Sequence, residues 1–228
     1  MIRILDILIG GSACVLLLPI FVPIAVLLKF TGEGEIFFVQ ERVGLDAKPF
    51  GLIKFATMLK DSPNIGTGTI TISNDPRILP LGHFFRKTKL NEIPQLINVI
   101  LGHMSLIGPR PQTRRCFNAF PEHYQELVVK TKPGLSGIGS IVFRDEEELM
   151  RNSDDPEYLY DEVIMPYKGQ LEAWYVEHSS LACYFKCIAL TCGVLIYPNL
   201  RWVWRTFPQL PEPPDALRRR LLGAEREQ

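Results

Sequence analysis

Residues 86–111, RKTKLNEIPQLINVILGHMSLIGPRP, open on three cations (Arg86, Lys87, Lys89) and one carboxylate (Glu92), continue as an apolar run and close on a Gly-Pro-Arg-Pro turn. Leu90, Ile93, Leu96, Ile97, Ile100 and Leu101 recur at steps of three and four. That spacing predicts a helix with one buried face and its charged chemistry at the ends. Pro94 fits such a helix only in the first turn, where its missing N–H costs nothing. The helix is therefore expected to begin near Asn91, with Asn91 and Glu92 at the positive end of its dipole.

The surrounding chain has 228 residues, 46% of them hydrophobic, enough to bury a sizeable core in one soluble domain with attachments. The formal net charge is zero, so no bulk charge argues for a nucleic-acid partner. The charge is unevenly spread. Residues 51–116 hold nine Lys/Arg against three acids, and residues 145–162 hold nine acids against Arg151. The first segment suits a phosphorylated ligand; the second suits either a metal or a solvated face. Cysteines 14, 116, 183, 187 and 192 form neither an even framework nor a CxxC pair, which points to a reduced, cytosolic setting.

Upstream, residues 11–28 (GSACVLLLPIFVPIAVLL) carry no charge and approach the length of about 20 residues that crosses a bilayer. Pro19 and Pro23 interrupt the run near its middle, which predicts a bent segment that enters one leaflet and returns. Arg3 before it and Lys29 after it favour both ends on the cytoplasmic side. A cleaved signal peptide is the competing reading, against which stand Asp6 and an apolar run beyond the usual length.

Short strands are expected at Ile36–Val39 and Phe50–Phe55 around a turn at Val43–Pro49, presenting Gln40, Glu41, Arg42 and Lys54. Residues 60–74 read as a mobile linker, because GTGTIT lacks the GxGxxG spacing of a phosphate cradle. Asn74–Arg77 reads as a turn capped by Asp75. Beyond the central stretch, Gly134, Gly137 and Gly139 allow the backbone to approach a ligand closely, and Phe143–Glu147 joins Arg144 to carboxylates.

Asp155–Val176 is expected to be a helix with Tyr160, Val163, Ile164, Tyr167, Leu171, Trp174 and Tyr175 on one face. Leu181–Leu200 reads as an amphipathic interfacial helix stopped by Pro198. The segment after Pro208 reads as a linker with a short basic helix near Arg218–Leu222. The fold class is α+β: a helix-rich cytoplasmic domain with a small sheet, preceded by a proline-broken re-entrant membrane helix. Its expected divisions are 1–30 (anchor), 31–200 (catalytic domain with interfacial helices) and 201–228 (tail).

Taken in order, the proline-broken segment, FFVQERVG, LIKFATM, NDPRILPLGHFFRKTKLNEIPQLINVILGHMSLIGPRP, KPGLSG and LEAWYVEHSSL resemble the bacterial sugar transferases known as monotopic polyprenol-phosphate phosphoglycosyl transferases. The resemblance covers about residues 1–200. It implies transfer of a sugar 1-phosphate from a UDP-sugar to polyprenol (undecaprenyl) phosphate with release of UMP, the initiating membrane step of a surface glycan. It implies a re-entrant anchor in the inner membrane with the catalytic domain on the cytoplasmic face. A magnesium ion is expected on Glu92. Lys54, Arg86, Arg110 and Arg144 match the cationic positions that meet the diphosphate and the lipid phosphate, a task for which the planar guanidinium is suited. The expected partners are UDP-sugar, polyprenol phosphate, membrane lipid, a second copy in a homodimer and downstream glycosyltransferases.

Departures from the family pattern are informative. Asn91-Glu92 stands where the family has Asp-Glu, and an amide lacks the anionic oxygen that attacks phosphorus. Four readings follow: Glu92 is itself the nucleophile, with Asn91 orienting phosphate; a carboxylate from Asp145–Glu148 takes the role; the lipid phosphate attacks directly; or the protein is inactive. Asn91 also suits a helix N-cap. Ala56 replaces a usual Arg, His103 a usual Asp, and GSIVFRDEEE a GWAQVNGR-like run. A lone His103 reads as a helix-end packing group. The alternative from another class is a non-catalytic membrane adaptor that binds nucleotide sugar or a partner glycosyltransferase.

Overall fold

The computed structural model describes residues 1–65, 75–150, 153, 155–197 and 199–222. Most of the GTGTIT linker, Asn74 of the expected turn, Arg151 and the Pro198 stop lie outside the described residues. The chain forms two compact units, residues 1–42 with 49–106, and residues 43–48 with 107–228.

The first unit begins with α1 (Ile2–Lys29), then β1 (Phe37–Val43) and β2 (Pro49–Phe55), which pair as a two-stranded sheet, then α2 (Pro80–Lys87) and α3 (Gln95–Leu101), and ends within β3 (Ser105–Ile107). Helix α1 runs through Pro19 and Pro23 as one helix, where the sequence pointed to a break. In apolar surroundings a broken backbone leaves polar groups that no water satisfies, so continuing the flanking hydrogen bonds is favoured.

Both ends of α1 pack on the rest of this unit. Near its start, Arg3 donates to the Val99 and Ile100 carbonyls at 2.5 and 2.6 Å. Asp6 accepts from the Ser105 hydroxyl and the Leu106 N–H, each at 2.9 Å. Near its end, Ile24 and Leu28 join Phe55 and Phe85 in a core flanked by Phe21 and Ile93. Between these anchors Val15 and Leu16 are 66% and 77% exposed, so the most apolar part of the chain is left bare.

Helix α3 starts at Gln95, four residues later than expected. Leu90–Glu92 instead forms a tight 3-10 turn, with Glu92 N–H on the Lys89 carbonyl at 3.0 Å and Ile93 N–H on the Leu90 carbonyl at 3.2 Å. Pro94 is the reason: it takes the cap position, and having no N–H it cannot extend the ladder backwards. Asn98, 1% exposed, then ties α3 to β2. Its Nδ2 donates to the Gly51 carbonyl at 2.7 Å and its Oδ1 accepts from the Ile53 N–H at 2.9 Å. One amide side chain thus does for the strand edge what a neighbouring strand would do.

The second unit takes the β1–β2 connection through Val43 N–H to the Gln112 carbonyl (2.9 Å) and Asp46 N–H to the Val129 carbonyl (2.8 Å). Its elements are α4 (Arg114–Asn118), α5 (Glu122–Val128), β4 (Gly134–Ser136), α6 (Ile138–Val142), α7 (Glu146–Met150) and α8 (Pro156–Tyr158). There follow a π-helical turn at Leu159–Ile164, α9 (Met165–Glu177), α10 (Leu181–Ile196), α11 (Arg201–Thr206) and α12 (Asp215–Leu222). Strand β4 pairs with the Ile107 end of β3.

The π turn sits just before Pro166. A wider turn relieves the clash between the proline ring and the carbonyl four residues back. Tyr160, Ile164, Tyr167, Leu171 and Tyr175 are buried on the α9 run, as the spacing predicts, but so are Lys168, Gly169 and Glu172. Helix α9 is therefore buried almost all round, with α5 and α6 packed on it. Past residue 200, Phe207, Leu210, Leu217 and Leu221 are buried in the same unit. Tyr167 Oη and Trp204 Nε1 both donate to the Pro211 carbonyl, at 2.8 and 3.2 Å.

Candidate active site

Helix α2 ends on Arg86 and Lys87, which suit its negative end. Thr88 then caps it, its hydroxyl bonded to the Phe84 carbonyl at 2.8 Å. Lys89 follows in the left-handed region (φ 60°, ψ 10°) and turns the chain into Leu90–Glu92. A side chain in that region costs on the order of 1 kcal/mol. The fold accepts that strain one residue before the turn that bears Asn91 and Glu92.

Strand β2 and helix α2 both pack on this 3-10 turn. Lys54 from β2 and Arg86 from α2 are therefore carried by elements that both pack on the turn bearing Asn91 and Glu92. Lys54, Arg86 and Glu92 are half-buried, reachable by a ligand yet partly shielded from water. Arg86 also lies against the Met58 sulfur at 3.5 Å.

Asn91 differs from these three. It is 5% exposed, and its Oδ1 has no hydrogen-bond partner among the described residues. The capping role open to an Asn is not made, since Pro94 occupies the cap of α3. An uncommitted buried acceptor costs about 1–3 kcal/mol when left dry, so a ligand donor or cation is the natural complement. Gln95 Nε2, on a side chain 1% exposed, is a second buried polar atom without a partner among the described residues, and sequence spacing did not single it out. His103 is exposed past the end of α3, its ring 6.1 Å from that of Phe50.

Arg110, Arg144 and Asp145 belong to the second unit. The GPRP turn crosses the KPGLSG turn at glycines. A Cβ on Gly134 would stand 2.1 Å from the Gly108 nitrogen, and one on Gly137 would stand 2.2 Å from the Gly108 oxygen. Gly108 N–H bonds the Ser136 carbonyl at 2.9 Å and Gly134 N–H the Pro109 carbonyl at 2.8 Å. Only hydrogen at these α-carbons permits the crossing, which fixes the backbone leading to Arg110.

Arg144 donates to the Val194 carbonyl at the end of α10. With Asp145 it lines a cleft of about 780 Å³ that also takes Arg201 and Arg220 from α11 and α12. Asp145 is exposed at the mouth of α7.

The same unit holds two ionisable groups that sequence reading passed over. Lys168 is 2% exposed and pairs with Glu146 at 2.8 Å, over the Phe143 ring. Glu172 is fully buried, and its Oε1 accepts the Arg110 N–H at 3.0 Å. Burial pushes the Glu172 carboxyl up to about 7, against the pull of the Arg110 N–H and of Lys168. One signal was available: a Lys and a Glu four apart inside a helix otherwise lined with aromatics.

A magnesium ion takes oxygen ligands, often one or two carboxylates completed by substrate phosphates. Among the described residues no group of three His, Cys, Asp or Glu side chains comes together. Glu92, beside the uncommitted Asn91 Oδ1, fits a cation completed by its substrate, not an all-protein cage.

Comparison with known proteins gives a consistent picture. The family model for the bacterial sugar transferases matches residues 1–198. The UDP-glucose:undecaprenyl-phosphate glucose-1-phosphate transferase of Escherichia coli K12 is 37% identical over 142 residues, 60% of this chain and 30% of that protein. The exopolysaccharide production protein PSS of Rhizobium leguminosarum bv. phaseoli is 35% identical over 145 residues, 61% of this chain and 72% of that one. A UDP-N-acetylgalactosamine-undecaprenyl-phosphate N-acetylgalactosaminephosphotransferase of Aeromonas hydrophila is 35% identical over 139 residues, 57% and 32% of the two chains. The chain thus spans about a third of the length of the E. coli and Aeromonas relatives.

Proposed function

The chain belongs to the bacterial sugar transferase family, and on that premise we propose that it moves a sugar 1-phosphate from a UDP-sugar to polyprenol phosphate, releasing UMP. The observation that carries this reading is the 3-10 turn of Asn91 and Glu92, on which the elements bearing the half-buried Lys54 and Arg86 both pack, with Asn91 Oδ1 buried and without a hydrogen-bond partner among the described residues. Two phosphate-bearing substrates require cations in a partly desolvated site, where each charge acts more strongly than in water. Lys54 and Arg86 neutralise the diphosphate; Arg110 and Arg144, which belong to the second unit, are each assigned to phosphate by their match to the family's cationic positions.

Glu92 is the carboxylate of the first-unit group and takes the role of nucleophile that Asn91 cannot fill. Its oxygen forms a bond to the sugar-bearing phosphorus as the bond from that phosphorus to the UMP oxygen breaks, and UMP leaves. An oxygen of polyprenol phosphate then attacks the same phosphorus and frees Glu92. The product carries its sugar on a diphosphate, a fitting substrate for downstream glycosyltransferases. A bound magnesium ion would supply charge neutralisation for the diphosphate oxygens, held by Glu92 and Asn91 Oδ1.

The anchor reading is supported by α1. A helix of 28 residues is about 42 Å long, yet Arg3 and Asp6 at one end and Ile24 and Leu28 at the other rest on the same unit. A helix tied down at both ends cannot cross a bilayer that keeps this unit on one side. Its bare middle suits burial in one leaflet of the inner membrane, with the catalytic units on the cytoplasmic face.

Purified protein in lipid discs, given polyprenol phosphate, magnesium and a panel of UDP-sugars, is expected to release UMP with at least one of them. Glu92→Gln should lower that release by at least about a thousandfold while leaving the unfolding midpoint in place. No UMP with any sugar, together with activity appearing in Asn91→Asp, would replace the transferase by the adaptor reading.

A further inference from the structure

Glu172 stands where three pieces of the second unit meet. It lies on α9, its Oε1 accepts the backbone N–H of Arg110, and its carboxyl group fills the space in front of Gly139, where a Cβ would lie 2.3 Å from Oε1 and 2.7 Å from Cδ. The Gly139 backbone also favours the ionised form. Oε2 has no hydrogen-bond partner among the described residues. A fully buried carboxylate is retained at a cost of several kcal/mol unless its oxygens are engaged, and the backbones of Arg110 and Gly139 are what engage it.

We propose that Glu172 is a positioning residue: its carboxylate holds the Arg110 backbone against the Gly139 turn, and its charge state sets how Arg110 is presented to a substrate phosphate. This rests on the reading that Arg110 meets phosphate. The glycine crossing at Gly108, Gly134 and Gly137 fixes the chain up to Pro109. Beyond Pro109, the Arg110 N–H is the next backbone group with a defined partner, and that partner is Glu172.

Ionised, Glu172 accepts a charge-assisted hydrogen bond, roughly twice as strong as a neutral one. Protonated, it keeps the contact but holds the turn more weakly. The groups that bias this equilibrium are few. Burial favours the neutral form; the Arg110 N–H, Lys168 one turn earlier on α9, the Arg110 charge and the Gly139 backbone favour the ionised form. Lys168 is itself held by Glu146 of α7. From α10, Cys187 faces the carboxylate and is pushed further up by it. Helix α6 offers no titratable group, and the preceding segment and α5 meet α9 through Phe120 and Tyr124 at Gly169. Removing the charge without changing the shape should therefore loosen Arg110 and leave the core intact.

The test uses the full chain in lipid discs, with selective labelling of the Arg110 amide. In wild type the Arg110 amide resonance should titrate near neutral pH, and in Glu172→Gln it should not. In the same preparations the pH profile of KM for the UDP-sugar should lose its near-neutral limb in Glu172→Gln. Glu172→Asp, which keeps the charge but shortens the reach, should raise KM about tenfold with kcat changed by less than threefold. An Arg110 amide that does not titrate in wild type, or still titrates in Glu172→Gln, overturns the proposal. So does an unchanged KM in Glu172→Asp. The amide titration needs no turnover, so it reads the Glu172–Arg110 coupling even where no UDP-sugar yields UMP, and the two ideas fail separately.

Discussion

The turn at Leu90–Glu92 and the crossing at Gly108–Arg110 both bear residues proposed to meet phosphate, yet they are built in opposite ways. In the first, β2 and α2, which carry the half-buried Lys54 and Arg86, pack on the turn that bears Asn91 and Glu92, and a strained Lys89 precedes that turn. In the second, backbones touch through glycines and the one side chain that organises them, Glu172, is fully buried. The lesson is that a charged site can be positioned from the surface inward or from the core outward. Water screens the first kind and leaves the second kind sensitive to pH and to single atoms.

The comparison can be broken most severely at the crossing. Gly134→Ala places a methyl group 2.1 Å from the Gly108 nitrogen with backbone on every side, so a loss of about 4 kcal/mol or more in denaturant unfolding is expected. A loss under about 1 kcal/mol would show that the crossing can open at little cost.

Next in size is a pH effect confined to Glu172. Its folded value, raised from 4.5 to about 7, means that the folded chain binds the proton more tightly than the unfolded one. The contribution is full below pH 4.5 and is lost as pH rises to about 7, a fall on the order of 3 kcal/mol. Unfolding of Glu172→Gln followed across that range should lack this component, and an unchanged pH dependence in the variant would remove Glu172 as its source.

On the first-unit side the effects are smaller. Asn98→Ala deletes the two hydrogen bonds that join α3 to β2, for about 2 kcal/mol. It should also reduce UMP release, because β2 carries Lys54. A stability loss with full activity would separate the clamp from the site. Smallest is Lys89→Gly, which removes left-handed strain but frees the unfolded chain, for a net gain of about 0.5 kcal/mol in thermal unfolding. A loss there would mean that the Lys89 side chain contributes more than its backbone costs.

Much of the architecture was legible. The step-three and step-four spacing marks Leu96 on the buried side of α3, but Ile100 and Leu101 of the same expected face are exposed, and Val99, outside it, is buried; the strand pair falls where short strands are expected. Of the face expected on the run into α9, Tyr160, Ile164, Tyr167, Leu171 and Tyr175 are buried and Val163 and Trp174 half-buried. The start of α3 was misjudged because helical periodicity outlasts helical hydrogen bonding: Leu90 and Ile93 keep the spacing while Pro94 interrupts the ladder. Of the residues that motif order groups, Lys54, Arg86, Asn91 and Glu92 sit on elements that meet at the 3-10 turn, while Arg110, Arg144 and Asp145 belong to the second unit.

Asn98, Glu172 and Lys168 were not readable, and the reason is common to them. An amide or a charge in an apolar helix looks like an exposed face until its partner is known. Those partners lie 47 residues away for Asn98 and 62 for Glu172. The sequence by itself determined where the strand pair and the aromatic and apolar helices of the second unit lie, which stretch is apolar enough for a membrane, and which family pattern the chain follows. These depend on local spacing and on the chemistry of neighbouring residues. Only the tertiary structure decided that both ends of α1 return to one unit, that Asn91 caps nothing, and that Glu172 holds the Arg110 backbone. Burial and hydrogen-bond satisfaction are properties of residues distant in sequence brought together, and local spacing carries no record of them.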